Sequence, residues 1–358
     1  MNKQTSGSVV PIFVSSEIYR QTGYNRQHPL AIERIGPVMD ICTEMGWLNA
    51  KNYRESPMAN LATLTQFHDK SYVEAVMEAS QTGKATRQMR ETYALGTMEN
   101  PVFMGLFERA ATSVGGSILA AQLAMAGRVA YHPAGGTHHG RQSRASGFCY
   151  FNDPVFAIKE FLSAGLQRVA YLDLDAHHGD GVEDAFASDQ SVFCISIHEK
   201  SRWPGTGQSH GPYSLNYLVS AGFGDLDLWQ MMVDEVLPAL QKFAPEALVI
   251  TCGADALAGD PLSKLSLSNR GLWDAVLRSV AVSPRAVVLG GGGYNPWTTT
   301  RCWNGLWAKL NGYEIPKKPP ERVTTLLQAF HCDLVDDDEL DPQWLTSIAD
   351  MEPAYEID

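Results

Sequence analysis

A chain of 358 residues with 44% hydrophobic and 19% charged residues has the composition of a globular enzyme and can bury a large core. The net charge of −12 is concentrated at one end: residues 333–358 hold ten carboxylates (Asp333, Asp336, Asp337, Asp338, Glu339, Asp341, Asp350, Glu352, Glu356 and Asp358) and no Lys or Arg, so removing them leaves −2. A near-neutral body without a basic stripe excludes the electrostatic footprint of nucleic-acid binding, and no apolar run is long enough to span a membrane.

The elements follow in chain order. After the polar Met1–Ser8, Ile12–Ser15 is the first β-prone run, too short for the core of a signal peptide. A helical pattern covers about 31–46, and a longer one about 101–126 leads into Val129–His132. A helix near 153–164 precedes Val169–Asp173, and one near 179–187 precedes Val192–His198. A helix near 227–243 leads to Ala247–Cys252, one near 269–281 to Ala286–Leu289, and a last helix covers about 297–310. This alternation predicts one α/β domain, a mainly parallel sheet with helices on both faces. The domain is expected to span 1–315, followed by an acidic C-terminal extension, 316–358, whose carboxylate-rich residues 333–358 read as a solvated, partly mobile end. Cys42, Cys149, Cys194, Cys252, Cys302 and Cys332 are scattered without a CxxC pair, which predicts free thiols and a cytoplasmic setting.

The motifs sit where strands end, the place where open α/β sheets hold ligands. Asp173, Asp175 and His177 alternate at the end of the run Val169–Asp173, and on a continuing strand they share one face. Two carboxylates and an imidazole are costly to bury unless a cation compensates them, and a divalent metal is the usual one. Asp175 and His177 are the first candidate ligands. Asp255, just after the buried run Ala247–Cys252, is the third, with a helix N-cap as its competing role. Three protein ligands with an open position suit catalytic zinc, while a set with two carboxylates also accommodates Fe²⁺ or Co²⁺.

Ala134-Gly-Gly-Thr-His138-His139 places adjacent imidazoles after a turn, which suits proton transfer near neutral pH. Asp173 and Asp180 are at hand to fix their tautomers. In Leu289-Gly-Gly-Gly-Gly-Tyr294 the glycine spacing is not that of a dinucleotide loop. It predicts a backbone that approaches the site closely and carries the Tyr294 hydroxyl toward a developing oxyanion.

Five segments, His138-His139, Gly147-Phe-Cys-Tyr-Phe-Asn-Asp153, Asp173-Leu-Asp-Ala-His-His-Gly-Asp-Gly181, Gly253-Ala-Asp-Ala-Leu-Ala-Gly-Asp-Pro261 and Leu289-Gly-Gly-Gly-Gly-Tyr294, occur in an order that resembles the zinc-dependent histone deacetylase family. The resemblance covers roughly residues 10–315 and is to the branch of class I deacetylases and bacterial acetoin-utilisation proteins. It implies the arginase–deacetylase fold, a sheet of about eight strands, and a hydrolase that removes an acetyl or short acyl group from an amine such as acetyl-lysine, in a protein or a small molecule. It implies Zn²⁺ on Asp175, His177 and Asp255, a His138/His139 acid–base pair backed by Asp173 and Asp180, and Tyr294 polarising the carbonyl. Substrate contacts would come from Gly147, Phe148, Trp203, Leu262 and Glu99. A structural K⁺ would use the side chains of Asp173 and Ser196 and main-chain carbonyls of Asp175, His177 and Ile197, with Arg34 near a cavity behind the metal.

The chain departs from that pattern at its rim. Class I deacetylases carry an Asp before Cys-Pro there, whereas Met98-Glu99-Asn100-Pro101 keeps the charge on a longer arm, and Arg202 adds a cation beside Trp203. Three rival readings share the fold. An acetylpolyamine amidohydrolase would carry Pro-Pro-Gly before the paired histidines, and an arginase-like ureohydrolase would need Asp-x-His-x-Asp where Asp175-Ala-His-His-Gly-Asp180 stands. A non-catalytic acyl-binding protein would have no need of the full set of reactive side chains.

Overall fold

A computed structural model describes residues 10–21 and 23–351. Its strands are β1 (Ile12–Ser15), β2 (Tyr53–Glu55), β3 (Val129–His132), β4 (Val169–Asp173), β5 (Val192–Glu199), β6 (Ser214–Val219), β7 (Ala247–Thr251) and β8 (Ala286–Leu289). They form one eight-stranded sheet in the order β2-β1-β3-β8-β7-β4-β5-β6, with every neighbouring pair parallel. The expected architecture is therefore the observed one.

The central strands are buried on both faces, and side-chain alternation divides them between two cores. Ala170, Leu172, Ile250 and Val288 face a core that includes Trp273, Trp303 and Trp307. Val169, Tyr171, Val249, Val287 and Leu289 face the opposite one, with Ile158 and Phe161. Burying each large aliphatic side chain contributes about 1.5–3 kcal/mol, and this two-sided burial makes the sheet a rigid base for the loops above it.

Several elements lie outside the sequence expectation. β2 has only three residues and β6 carries Ser214 and Asn216 among its apolar positions, so neither reads as a strand by composition. The helices Leu61–Leu64, Lys70–Thr82 and Arg87–Tyr93 build a satellite cluster with Tyr72, Val76, Leu95 and Phe151. The helical stretch expected near 227–243 contains a π turn at Met232–Val236. Pro238 stands two residues after its end; it has no N–H to continue the i→i−4 ladder, which accounts for the widened turn.

The acidic extension departs most from expectation. The helix Glu321–Gln328 buries Val323 and Leu327 in the main core, where Ile348 joins them. Trp344, Cys332 and Val335 pack against Trp297. Arg301, itself fully buried, pairs with Asp350 at 2.7 Å and donates to the Ser347 carbonyl at 2.6 Å. Charge density misled because these apolar anchors are spaced widely among the carboxylates. Glu352, Glu356 and Asp358 lie outside the described residues.

Because the Trp344 ring stacks against Gly259, at the end of the loop that carries Asp255, Trp344→Ala is expected to destabilise the fold by about 3 kcal/mol. A fall in the urea midpoint without a change in slope checks this.

Candidate active site

Four adjacent strands in the middle of the sheet, β3, β8, β7 and β4, each end in a loop that delivers part of one site. β4 stops at Asp173, so Asp175 and His177 do not share a strand face with it, contrary to the expectation from periodicity. They sit in the following loop, where Asp173 Oδ1 accepts the Asp175 N–H at 3.1 Å and Asp175 Oδ1 accepts the His177 N–H at 2.9 Å. These local bonds curl the chain so that Asp175 and His177 face Asp255 beyond β7. One ligand atom from each of the three residues lies within 4.8 Å of the other two, and all three residues are buried.

The electrostatics of this trio call for a cation. His177 Nδ1 lies 2.8 Å from Asp255 Oδ2 and 3.2 Å from Asp175 Oδ1. Burial lowers the affinity of that imidazole for a proton, yet the two carboxylates overcome it and hold His177 up at about 10. Burial together with the charge of Asp175 pushes Asp255 up to about 6. Asp175 stays far below the usual carboxylate range despite burial, because His138 and His177 stabilise its charge. Two carboxylate oxygens and an imidazole nitrogen converging in a buried pocket fit a divalent metal, which supplies the positive charge they demand.

The paired histidines lie beside this cluster, with ring centroids 3.9 Å apart. His138 Nδ1 donates to Asp173 Oδ2 at 2.7 Å and His139 Nδ1 to Asp180 Oδ1 at 2.8 Å, which fixes both tautomers. Their environments separate them. Asp173 and Asp175 hold His138 up at about 9 against the cost of burial, whereas burial and the charge of His138 push His139 down to about 3. After β8, the Gly292 N–H donates to Asp175 Oδ2 at 2.6 Å, and a Cβ at Gly292 would stand 2.1 Å from Asp255. Only glycine permits that approach. Burial, reinforced by Asp255 and Asp175, raises Tyr294 well above its ordinary value and keeps its hydroxyl a neutral donor.

The family model described as the histone deacetylase domain matches residues 28–310. The chain belongs to the histone deacetylase family. It is a metal-dependent deacetylase, a hydrolase of amide bonds. It is 32% identical to histone deacetylase 8 of Xenopus tropicalis over 325 residues, covering 88% of this chain and 87% of that protein. It is 33% identical over 336 residues to the acetoin utilization protein AcuC of Bacillus subtilis (strain 168), covering 87% and 85%. The crystal structure of an HDAC homolog from Aquifex aeolicus superposes with a TM-score of 0.91 at 32% identity, covering 98% of this chain and 97% of that one. A structure of an HDAC homolog complexed with SAHA matches with the same TM-score at 31% identity, covering 98% and 97%.

In this deacetylase His139, His177 and Tyr294 form the floor of a pocket of about 500 Å³. Phe148, Trp203 and Leu262 line its walls, and Glu99, Gly147 and Arg202 border it. Gly147 and Phe148 both have left-handed backbone, at φ +54° and +65°. A Cβ at Gly147 would lie 2.5 Å from both His139 and the Trp203 ring, so glycine lets the wall close onto the floor. Asn100 Oδ1 accepts the Phe148 N–H at 3.1 Å and steadies its strained turn. Arg34 donates to the Gly291 carbonyl at 2.9 Å and lines a small cavity of about 70 Å³ with Tyr19 and Tyr24. Asp173 is in register with Ser196, whose Oγ lies 3.0 Å from His198 Nδ1, and Ile197 follows on β5.

Sequence reasoning missed several supports. Asp260 Oδ2 accepts the Tyr294 N–H at 2.7 Å while Oδ1 accepts the Leu262 N–H at 2.9 Å, so one buried carboxylate joins floor and wall. Arg141 pairs with Asp180 behind His139. His68 Nε2 accepts the Asn152 N–H at 3.1 Å, and the Asn152 amide donates to the carbonyls of His138 and Gly140. His68 is thus a neutral anchor for the histidine loop, and burial pushes it from 6.5 down to about 4.

The His68 anchor has a pH signature. The unfolded chain takes up a proton at this histidine below about 6.5, whereas the folded chain resists until about 4. Its contribution is complete above pH 6.5 and is lost as the pH falls to 4, up to about 3 kcal/mol. Urea titrations across that range should show less acid destabilisation in His68→Gln than in the wild type.

Proposed function

We propose that this chain removes an acetyl or short acyl group from an amine of the acetyl-lysine type, with Zn²⁺ held by Asp175, His177 and Asp255. The observation that carries the reading is that the cation-demanding trio and two tautomer-fixed imidazoles meet beside one apolar-walled pocket, which His177 and His139 line. The match to a structure of an HDAC homolog complexed with SAHA also supports a ligand-binding pocket in this chain. Bound there, the metal supplies Lewis-acid charge that polarises the acyl oxygen and acidifies a water.

The protein's own groups divide the proton work. His139 is held neutral, lines the pocket and takes the proton of the attacking water. It returns that proton to the leaving amine, so no charged amide nitrogen is expelled. His138, cationic against Asp173, lowers the cost of negative charge developing beside it. Tyr294 donates its hydroxyl hydrogen to the acyl oxygen as that oxygen becomes anionic. Phe148 and Trp203 exclude water from the alkyl arm.

Two further assignments belong to this reading. K⁺ bound by Asp173, Ser196 and carbonyls of Asp175, His177 and Ile197 would offset the buried Asp173 charge, a role supported by the β4–β5 register. A reducing, cytoplasmic setting is supported by six free, buried cysteines. No helix among the described residues is long and apolar enough to cross a membrane.

A fluorogenic acetyl-lysine substrate tests the activity. Hydrolysis should vanish with a chelator and return on adding Zn²⁺, with parallel Fe²⁺ and Co²⁺ additions ranking the metals. Tyr294→Phe should lower kcat by about 10²-fold or more with metal content intact; unchanged turnover would remove Tyr294 from its role.

A further inference from the structure

We propose that the preferred substrate of this deacetylase is a free acylated diamino acid, of which Nε-acetyl-lysine with its own α-ammonium and α-carboxylate is the simplest case. The inference rests on the deacetylase reading above and specifies what the pocket mouth selects.

The mouth carries one anion and one cation, each held in place. Glu99 Oε1 accepts the Gly147 N–H at 2.5 Å, while Oε2 has no hydrogen-bond partner and no Lys or Arg pairs with this carboxylate among the described residues. Arg202 forks onto Glu199 through Nε and Nη2, both at 2.8 Å. Glu199 is nearly buried and also accepts the Lys264 N–H at 2.9 Å. This fixes the guanidinium plane and leaves Nη1 without a partner among the described residues. Both groups reach the mouth beside the same ring. The glycine that Glu99 holds is in contact range of Trp203, the residue after Arg202.

A substrate whose amide reaches the floor brings its carbon bearing the far substituents to this rim. In a protein, the α-nitrogen and α-carbonyl of acetyl-lysine are neutral amides, which can hydrogen-bond to Glu99 and Arg202 but neutralise neither charge. A monoacetylated diamine has an ammonium for Glu99 but no acceptor for the free Nη1 of Arg202. A free acylated diamino acid offers the ammonium to Glu99 and the carboxylate to the Nη1 of Arg202 that Glu199 leaves free. The reaction balances simply. Water cleaves the amide C–N bond: its oxygen ends in acetate and both of its protons end on the ε-nitrogen, giving lysine with its ε-ammonium and acetate.

Four probes separate the contributions: Nε-acetyl-lysine, its doubly capped form blocked at the α-amine and amidated at the carboxyl, N-acetylcadaverine with only the ammonium, and 6-acetamidohexanoate with only the carboxylate. The expected kcat/KM for Nε-acetyl-lysine is at least tenfold above that of the capped compound. Glu99→Gln should bring it toward that of 6-acetamidohexanoate, and Arg202→Gln toward that of N-acetylcadaverine. Arg202→Lys, which preserves a partner for Glu199, should keep part of the carboxylate advantage. Equal kcat/KM for all four, a preference for the capped compound, or charge preferences that survive both substitutions would overturn the proposal and leave deacetylation standing. No hydrolysis of any probe would overturn both.

Discussion

Two carboxylates, Asp175 and Asp255, are buried with a single imidazole, His177, between them, and such charges are tolerated only with a cation in place. Much of the surrounding architecture serves that constraint. The trio arises because β4 and β7 are neighbours in a sheet buried on both faces. Their ends are therefore fixed relative to one another, and the loops beyond them cannot separate the charges. The glycine run after β8 closes over the trio from the third side, with the Gly292 N–H aimed at Asp175.

The same negative field sets the chemistry of its neighbours. Asp173 and Asp175 keep His138 cationic, and burial together with that charge keeps His139 neutral. Two adjacent residues of one type thus acquire opposite roles from position alone. Support comes from far along the chain. Asp260 ties Tyr294 to Leu262, and Trp344 rests on Gly259 just before Asp260. The acidic C-terminal segment therefore braces the loop that carries Asp255.

What could be read from the sequence follows from how local each signal is. Asp175, His177 and the histidine pair stand within a few residues of apolar runs that announce strand ends, so their placement at the carboxyl edge of a parallel sheet was legible. Asp173 was misgrouped because period-two alternation was carried past the point where β4 ends. Asp260, Arg141 and His68 were not legible: their partners Tyr294, Asp180 and Asn152 lie 34, 39 and 84 residues away, and nothing local marks them. β6 and the helices between residues 61 and 93 escaped because tertiary packing, not composition, decides them. The C-terminal segment misled because counting its carboxylates hid Trp344 and Ile348.

The buried trio is proposed to hold one divalent ion. Elemental analysis of the purified protein beside Asp255→Asn, a nearly isosteric change, tests it most directly. Wild-type protein should carry one tightly bound divalent ion per chain and the variant should be strongly depleted, with the fold intact by circular dichroism. Full occupancy in the variant, or metal-free wild-type protein that still hydrolyses acetyl-lysine, would contradict it.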